Sequence, residues 1–235
     1  MGDPQEAAKA VAARHAVRRY VHPGAKLALG TGSTAAAAVR AIAELYPGAS
    51  FDCVASSVAT ERLAASFGLS VRPLRGDDRF DVMVDGADEV APSLDLTKGA
   101  GGALLREKLL ARLARRLVVV VDPSKLVGAL GERARIPVEV VPFCVPVLAH
   151  DLSAAGFGVS RRSGPDGPYR TDNGNEILDL VPRAPLDRPA EVDRDLRSRV
   201  GVVETGLFVG VAERVVVGSP DGTTRELLRP AGPGA

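Results

Sequence analysis

The chain has 235 residues, 46% hydrophobic and 25% charged, the make-up of a globular protein with one large domain or two small ones. Thirty basic residues against 29 acidic ones leave a formal charge of +1, which argues against nucleic-acid binding through bulk charge. No apolar run approaches the ~20 residues of a membrane span. The first ten residues are polar and acidic, unlike a signal peptide, and two cysteines are too few for a disulfide framework. A cytoplasmic protein with no nucleic-acid or membrane partner is expected.

In chain order, residues 26–30 read as a strand, 35–45 as a helix, 51–55 as a strand and 59–67 as a helix. Residues 71–74 and 80–84 read as strands, 103–116 as a helix and 117–121 (LVVVV) as a buried strand. Continuous apolar strands alternating with helices predict an α/β fold with a Rossmann-like, mainly parallel sheet covered on both faces. After residue 131 the pattern changes. Strands are predicted at 137–143, 158–162, 169–171, 176–181 and 202–208, with helices at 147–155 and 190–200. That is a smaller α+β unit of ferredoxin-like type. The strand at 214–218 is expected to rejoin the first sheet. The domains therefore read as 1–130 with 208–235, and 131–207 between them. The tail 229–235 reads as frayed.

Parallel sheets bind ligands at the carboxyl ends of their strands, so the polar segments there carry the functional reading. Gly30-Thr31-Gly32-Ser33-Thr34-Ala35 follows a strand and opens a helix. Glycines admit an anion close to the backbone, and the helix start offers free N–H groups. The string also fits a dinucleotide fingerprint, but the second strand ends in Ala55-Ser56-Ser57 without the acid that would hold a ribose. A phosphate group is the favoured ligand.

Asp85-Gly86-Ala87-Asp88-Glu89 follows another strand. Three acids so close repel unless they bind sugar hydroxyls, a metal or solvent. Hydroxyls are favoured, because the three histidines lie far away in sequence without ligand spacing. Lys98-Gly99-Ala100-Gly101-Gly102 precedes the helix of residues 103–116. Its amides and the Lys98 ammonium suit an oxyanion. On that helix, at about 100° per residue, Lys108, Arg112, Arg115 and Arg116 form one stripe while Glu107 falls beside Ala103, Leu110 and Ala114. Desolvation there would make Glu107 a stronger base. Val121-Asp122-Pro123-Ser124-Lys125 ends a buried strand and carries one of only five lysines. Thr171-Asp172-Asn173-Gly174-Asn175 reads first as a structural turn.

Together these segments resemble the type A ribose-5-phosphate isomerase family. The matching strings are GTGSTA (30–35), DGADEV (85–90), KGAGGALLREK (98–108), VDPSKLV (121–127), PVEVVPF (137–143), TDNGNEILD (171–179), and GLF (206–208) with GSPDG (218–222). The resemblance implies interconversion of D-ribose 5-phosphate and D-ribulose 5-phosphate in the non-oxidative pentose phosphate pathway. It implies no metal and no organic cofactor, a small-molecule sugar phosphate as partner, and a homodimer or homotetramer. It implies Glu107 as catalytic base, Asp85, Asp88 and Lys98 as catalytic partners, and substrate contacts from residues 31–34 (Thr31, Gly32, Ser33, Thr34), 85–88 (Asp85, Gly86, Ala87, Asp88), 98–101 (Lys98, Gly99, Ala100, Gly101) and Lys125. Many relatives carry an N-terminal lysine that touches phosphate; the spacing from Lys9 to Tyr20 does not secure Lys9 as its counterpart, and no role follows for it from the sequence. The family usually has glycine where this chain has Ala100. If that position needs φ > 0, alanine costs about 1 kcal/mol.

Two other functions compete. One is a non-catalytic sugar-phosphate sensor, which would usually carry a helix-turn-helix ahead of it, and the roughly 25 residues before the first strand are too few. The other is a dinucleotide-dependent oxidoreductase, disfavoured by the missing ribose-binding acid.

Overall fold

The computed structural model describes residues 3–229. The expected frayed tail therefore falls, from residue 230 on, outside the described residues. The elements run α1 (Pro4–Tyr20), β1 (Lys26–Leu29), α2 (Ser33–Leu45), β2 (Asp52–Ala55), α3 (Val58–Ser66), β3 (Val82–Asp85), β4 (Glu89–Val90), β5 (Leu96–Thr97), α4 (Leu104–Leu113) and β6 (Leu117–Val121). They continue with β7 (Ile136–Val140), α5 (Val145–Ala154), β8 (Gly158–Arg161), β9 (Ser163–Gly164), β10 (Gly167–Pro168), β11 (Glu176–Val181), α6 (Pro189–Ser198), β12 (Val202–Thr205), β13 (Leu207–Phe208), β14 (Arg214–Gly218) and β15 (Thr224–Leu228). Two compact units result. Among the described residues the first holds 3–87, 106–125 and 211–229, and the second 88–105 and 126–210. Residues 88–105, 126–130 and 208–210, expected with the first unit, group with the second.

The first unit is built on a six-stranded sheet in the order β15-β14-β6-β3-β1-β2. All neighbours are parallel except the β14–β15 hairpin. β1 has β2 on one side and β3 on the other, so the chain leaves β1 outward and returns across it. Ligands of such sheets bind where the strand order reverses, which here is at the carboxyl ends of β1 and β3. Every residue of β6 is buried, which is why LVVVV reads as an unbroken apolar run. The 17-residue helix α1 was not anticipated. Its buried face is almost wholly alanine (Ala8, Ala12, Ala13, Ala16) and carries little hydrophobic contrast. Gly218 lets it come close, because a Cβ there would sit 2.2 Å from the Ala8 carbonyl oxygen. β15 was also missed, since TRELL is a partly exposed edge strand of mixed polarity.

Residues 71–74 do not form the expected strand. Val71 makes a single parallel bridge to Cys53. Arg72 then turns aside to pair with Asp52 at 2.5 Å and Asp78 at 2.6 Å, and Pro73 lacks the N–H that a ladder needs.

The second unit carries a four-stranded antiparallel sheet in the order β12-β7-β11-β8, with α5 following β7 and α6 following β11. Renumbered within the unit this is βαββαβ with order 4-1-3-2, the ferredoxin-like arrangement expected. Its core holds Ile136, Val138, Val140, Leu148, Leu152, Leu178, Leu180 and Leu196. A small three-stranded sheet, β13-β5-β4, belongs to the same unit. The expected strand at 202–208 is split by Gly206, and the expected strand at 169–171 is replaced by the β9–β10 hairpin before it.

Candidate active site

In the first unit the glycine turn after β1 is held by buried neighbours. Asp85, at the end of β3, is fully buried, and its Oδ1 accepts from the amides of Thr31 (3.3 Å) and Gly86 (2.8 Å). Gly30 is glycine because a Cβ there would lie 2.1 Å from the Asp85 carboxyl carbon. Gly32 has φ +98°, a conformation that favours glycine. The Thr31 hydroxyl meets those of Ser56 (2.7 Å) and Ser57 (2.9 Å), and the Thr60 hydroxyl donates to the Gly30 carbonyl (2.8 Å). The place where a dinucleotide fold keeps its ribose acid is thus filled by hydroxyls that brace the turn. In the sequence, Ser56 and Ser57 mark only the absence of an acid, and nothing there signals their bracing role.

Ser33 and Thr34 open α2, whose N-terminus has no side-chain cap and no acid in its first turn. Its free amides and positive dipole end suit an anion. Lys9 from α1 donates to the Ser33 hydroxyl at 3.0 Å and to Glu6 at 2.8 Å. The structure therefore brings Lys9, which the sequence leaves without a role, to the start of α2 beside the glycine turn. Thr34 also fixes Gly86, where a Cβ would approach the Thr34 side chain to 3.1 Å. Ala87 is half-buried.

The three acids after β3 have three separate jobs. Asp85 holds the glycine turn. Asp88 is half-buried, and its Oδ2 accepts from the Ala100 amide at 3.0 Å. Glu89 is buried and accepts from Thr97 Oγ1, Gly131 N, Arg133 N and Ala134 N at 2.6–3.0 Å. It is an anchor for the chain at 131–134. Among the described residues no three His, Cys, Asp or Glu side chains are grouped so as to hold a metal ion.

In the second unit, Lys98 is buried at 3% exposure, with its ammonium 5.4 Å from the Phe208 ring centroid. Its amide donates to the Gly206 carbonyl at 2.9 Å, and a Cβ on Gly206 would strike the Lys98 carbonyl oxygen at 2.3 Å. Gly99 (φ +101°) and Gly102 (φ +83°) take the left-handed positions of the loop, and the Gly102 amide closes on the Gly99 carbonyl at 2.9 Å. Leu94 is the single non-glycine with positive φ among the described residues, so Ala100 carries no such strain. The cost foreseen for alanine does not arise. Ala100 and Gly101 are exposed. Burial raises the Tyr169 phenol above its ordinary value against the opposing charge of Arg162, which keeps it a donor beside this loop.

Glu107 stands in the first turn of α4 at 2% exposure, withdrawn from water as its position beside Ala103 and Leu110 suggests. Lys108 departs from expectation. It is buried at 4%, so the charged stripe of this helix begins only at Arg112. Lys125 ends a short 3-10 turn (Pro123–Lys125) and is half-buried. Just before it, Asp122 is buried at the end of β6. Its Oδ1 accepts from Ser124 N at 2.8 Å, while its Oδ2 meets no donor among the described residues.

The family model for ribose 5-phosphate isomerase A (phosphoriboisomerase A) matches residues 52–222. The chain belongs to this family. It is 49% identical over 220 residues to "Ribose-5-phosphate isomerase A" of Thermomicrobium roseum, covering 92% of each chain. It is 42% identical over 228 residues to the Deinococcus radiodurans protein of the same name, covering 95% of this chain and 99% of that one. The fold matches a D-ribose-5-phosphate isomerase in complex with phospho-erythronic acid at TM-score 0.91 and 35% identity, covering 97% of this chain and all of that one. It matches the ribose 5-phosphate isomerase of Plasmodium falciparum at TM-score 0.90 and 30% identity, covering 95% of this chain and 98% of that one. The mixed α/β architecture with a mainly parallel central sheet is thus that of the family's isomerases. No helix among the described residues is long and apolar enough to cross a membrane.

Proposed function

We propose that this protein interconverts D-ribose 5-phosphate and D-ribulose 5-phosphate, with Glu107 as the base that carries the proton between carbons. The observation that carries this reading is the burial of Glu107 in the first turn of α4, in a chain that belongs to an isomerase family. The sensor alternative is not favoured by relatives that are named as isomerases over nearly their whole length.

The sugar first opens, because the ring form has no acidic C–H next to a carbonyl. Asp85 or Asp88 passes the ring proton and holds hydroxyls. Glu107 takes the C2 proton of the aldose and returns it to C1, through a cis-enediolate whose charge lies on oxygen, while the proton of the C2 hydroxyl passes to O1 so that C2 becomes the carbonyl. Lys98 and the amides of the 98–101 loop stabilise that charge. A preorganised donor of this kind is worth ~3–4 kcal/mol in the transition state. The phosphate rests on the start of α2 with Ser33, Thr34 and Lys9, and Lys125 is a further cationic contact. Anchoring the remote phosphate fixes the orientation of the reacting carbons.

We assign the protein to the cytoplasm, where two cysteines held as thiols suit a reducing compartment. We expect a homodimer or homotetramer.

Ribose 5-phosphate incubated with the protein in D₂O, followed by NMR, tests the reaction. Deuterium arriving at C1 of ribulose 5-phosphate is the expected result. Binding without exchange or product would return the sensor reading.

A further inference from the structure

Within the second unit, the peptide carbonyls of the Lys98 loop are not left to water. Arg162, directly after β8, donates through one terminal nitrogen, Nη1, to the Gly99 carbonyl at 3.0 Å and to the Ala100 carbonyl at 2.9 Å. Its Nε and Nη2 bind Asp179 of β11 at 2.9 and 2.5 Å. The guanidinium also stands 5.7 Å from the centroid of the Tyr169 ring, and the Tyr169 hydroxyl donates to the next carbonyl, Gly101, at 3.3 Å. Gly102 has no side chain where a Cβ would lie 2.2 Å from that hydroxyl. Three successive carbonyls, 99 to 101, are thus gripped from one side by two side chains of the ferredoxin-like sheet and its hairpin.

A carbonyl turned toward Arg162 turns the amide of the same peptide unit the other way. This grip therefore sets where the loop's N–H groups point. The Ala100 amide, which faces Asp88, is one of them. We infer that Arg162, held by Asp179 and set over the Tyr169 ring, is a positioning residue for the isomerisation: it orients the peptides after Gly99 and Ala100 so that the Ala100 amide holds Asp88 and the Gly101 amide meets the enediolate charge. The inference rests on the proposed reaction and deepens it. It requires arginine in particular. Only a planar fork serves a carboxylate on one edge and two carbonyls on the other, whereas lysine offers a single point of attachment.

The test compares Arg162→Lys and Arg162→Ala with the wild type in kcat and KM for ribose 5-phosphate, in Tm, and in hydrogen exchange of residues 98–103. We expect kcat to fall by about 10–100-fold in both variants, the scale on which a group displaced by ~1 Å acts. KM stays close to wild type, Tm falls because Asp179 is left buried without its partner, and the loop amides lose protection at temperatures well below the melt. Guanidinium ion well below denaturing concentration restores part of the turnover of Arg162→Ala and does nothing for the wild type. Unchanged kcat with unchanged loop exchange would overturn the inference. So would a loss of turnover that follows the fraction unfolded and resists guanidinium. If Arg162→Ala fails to fold, Arg162→Lys and Asp179→Asn supply the same readings. A wild-type protein inert toward ribose 5-phosphate would sink the proposed reaction, while the exchange data alone would still report whether Arg162 holds the loop.

Discussion

The carboxylate of Asp85 stands where a side chain on Gly30 would have to go. A Cβ on Gly30 would come within 2.1 Å of both its Cγ and its Oδ1. Gly30→Ala must therefore displace a buried acid that the amides of Thr31 and Gly86 both use. We expect kcat to drop at least about tenfold, with a lower Tm, because the proposed reaction sets Asp85 at the substrate, where a small misplacement is costly. Steady-state kinetics and a thermal melt check this, and a variant with wild-type turnover would show that the placement of Asp85 is not required.

Glu107→Gln keeps the shape of the side chain and removes its ability to take a proton. Turnover should fall by about 10²–10⁴, the usual contribution of a positioned base, with KM within a few-fold of wild type. Retention of more than about a tenth of kcat would rule out Glu107 as the base.

Lys9→Met and Ser33→Ala test the proposed phosphate contact at the start of α2. A hydrogen bond to a charged group is worth ~1.5–3 kcal/mol, so each change should raise KM by about tenfold or more while kcat moves less. Inorganic phosphate should weaken as a competitive inhibitor in parallel. An unchanged KM in both variants would place the phosphate elsewhere.

Much of this site could be read from residue order. Strand ends announce themselves through apolar runs that stop at glycine and acid, as in Leu27-Ala28-Leu29-Gly30 and Val82-Met83-Val84-Asp85, and the helical phase of Glu107 set it among alanine and leucine. What could not be read was whatever depends on contacts distant in sequence. Lys9 belongs to an alanine helix that packs on both α2 and β14, the latter some two hundred residues on, and its reach to Ser33 at the start of α2 follows from that packing. Arg162 is one of two adjacent arginines with no mark to distinguish them. Arg161 pairs with Glu176 and Arg162 reaches the loop only because the strand alternates its faces. Lys108 was misplaced because a helical wheel does not tell which face a neighbouring segment covers.

Glu89 serves stability. It takes four donors, three of them backbone amides at 131, 133 and 134. In Glu89→Gln the new amide NH₂ points its hydrogens at some of those donors. We expect a loss of about 3 kcal/mol or more, since each buried donor left unmatched costs ~1–3 kcal/mol. Urea denaturation measures this as a lower midpoint at constant m. A midpoint equal to wild type would mean that the 131–134 segment does not depend on this carboxylate.

Acid should loosen the first unit through Arg72. Its guanidinium, with help from the Arg75 amide, holds Asp78 well below the usual carboxylate range, and the same guanidinium lowers Asp52. Both folded-state values are depressed, so the stabilisation is fully present above the unfolded value near ~3.9 and is lost as pH falls through the folded values. Arg72→Met should flatten the decline of the urea midpoint between about pH 5 and pH 2, relative to wild type. Parallel curves for the two proteins would contradict this.

The hydroxyl cluster of Thr31, Ser56, Ser57 and Thr60 bears on any attempt to re-engineer this scaffold. The first unit has the strand order and glycine turn of a nucleotide-handling fold, and a designer would be drawn to install a carboxylate after β2 to recruit NAD. At position 56 or 57 that charge would be sealed among the side chains that brace the turn, with no solvent to screen it. Cofactor exchange on this template therefore has to begin by rebuilding the loop from β2 to α3, because a single substitution there would cost the fold before it gained a ligand.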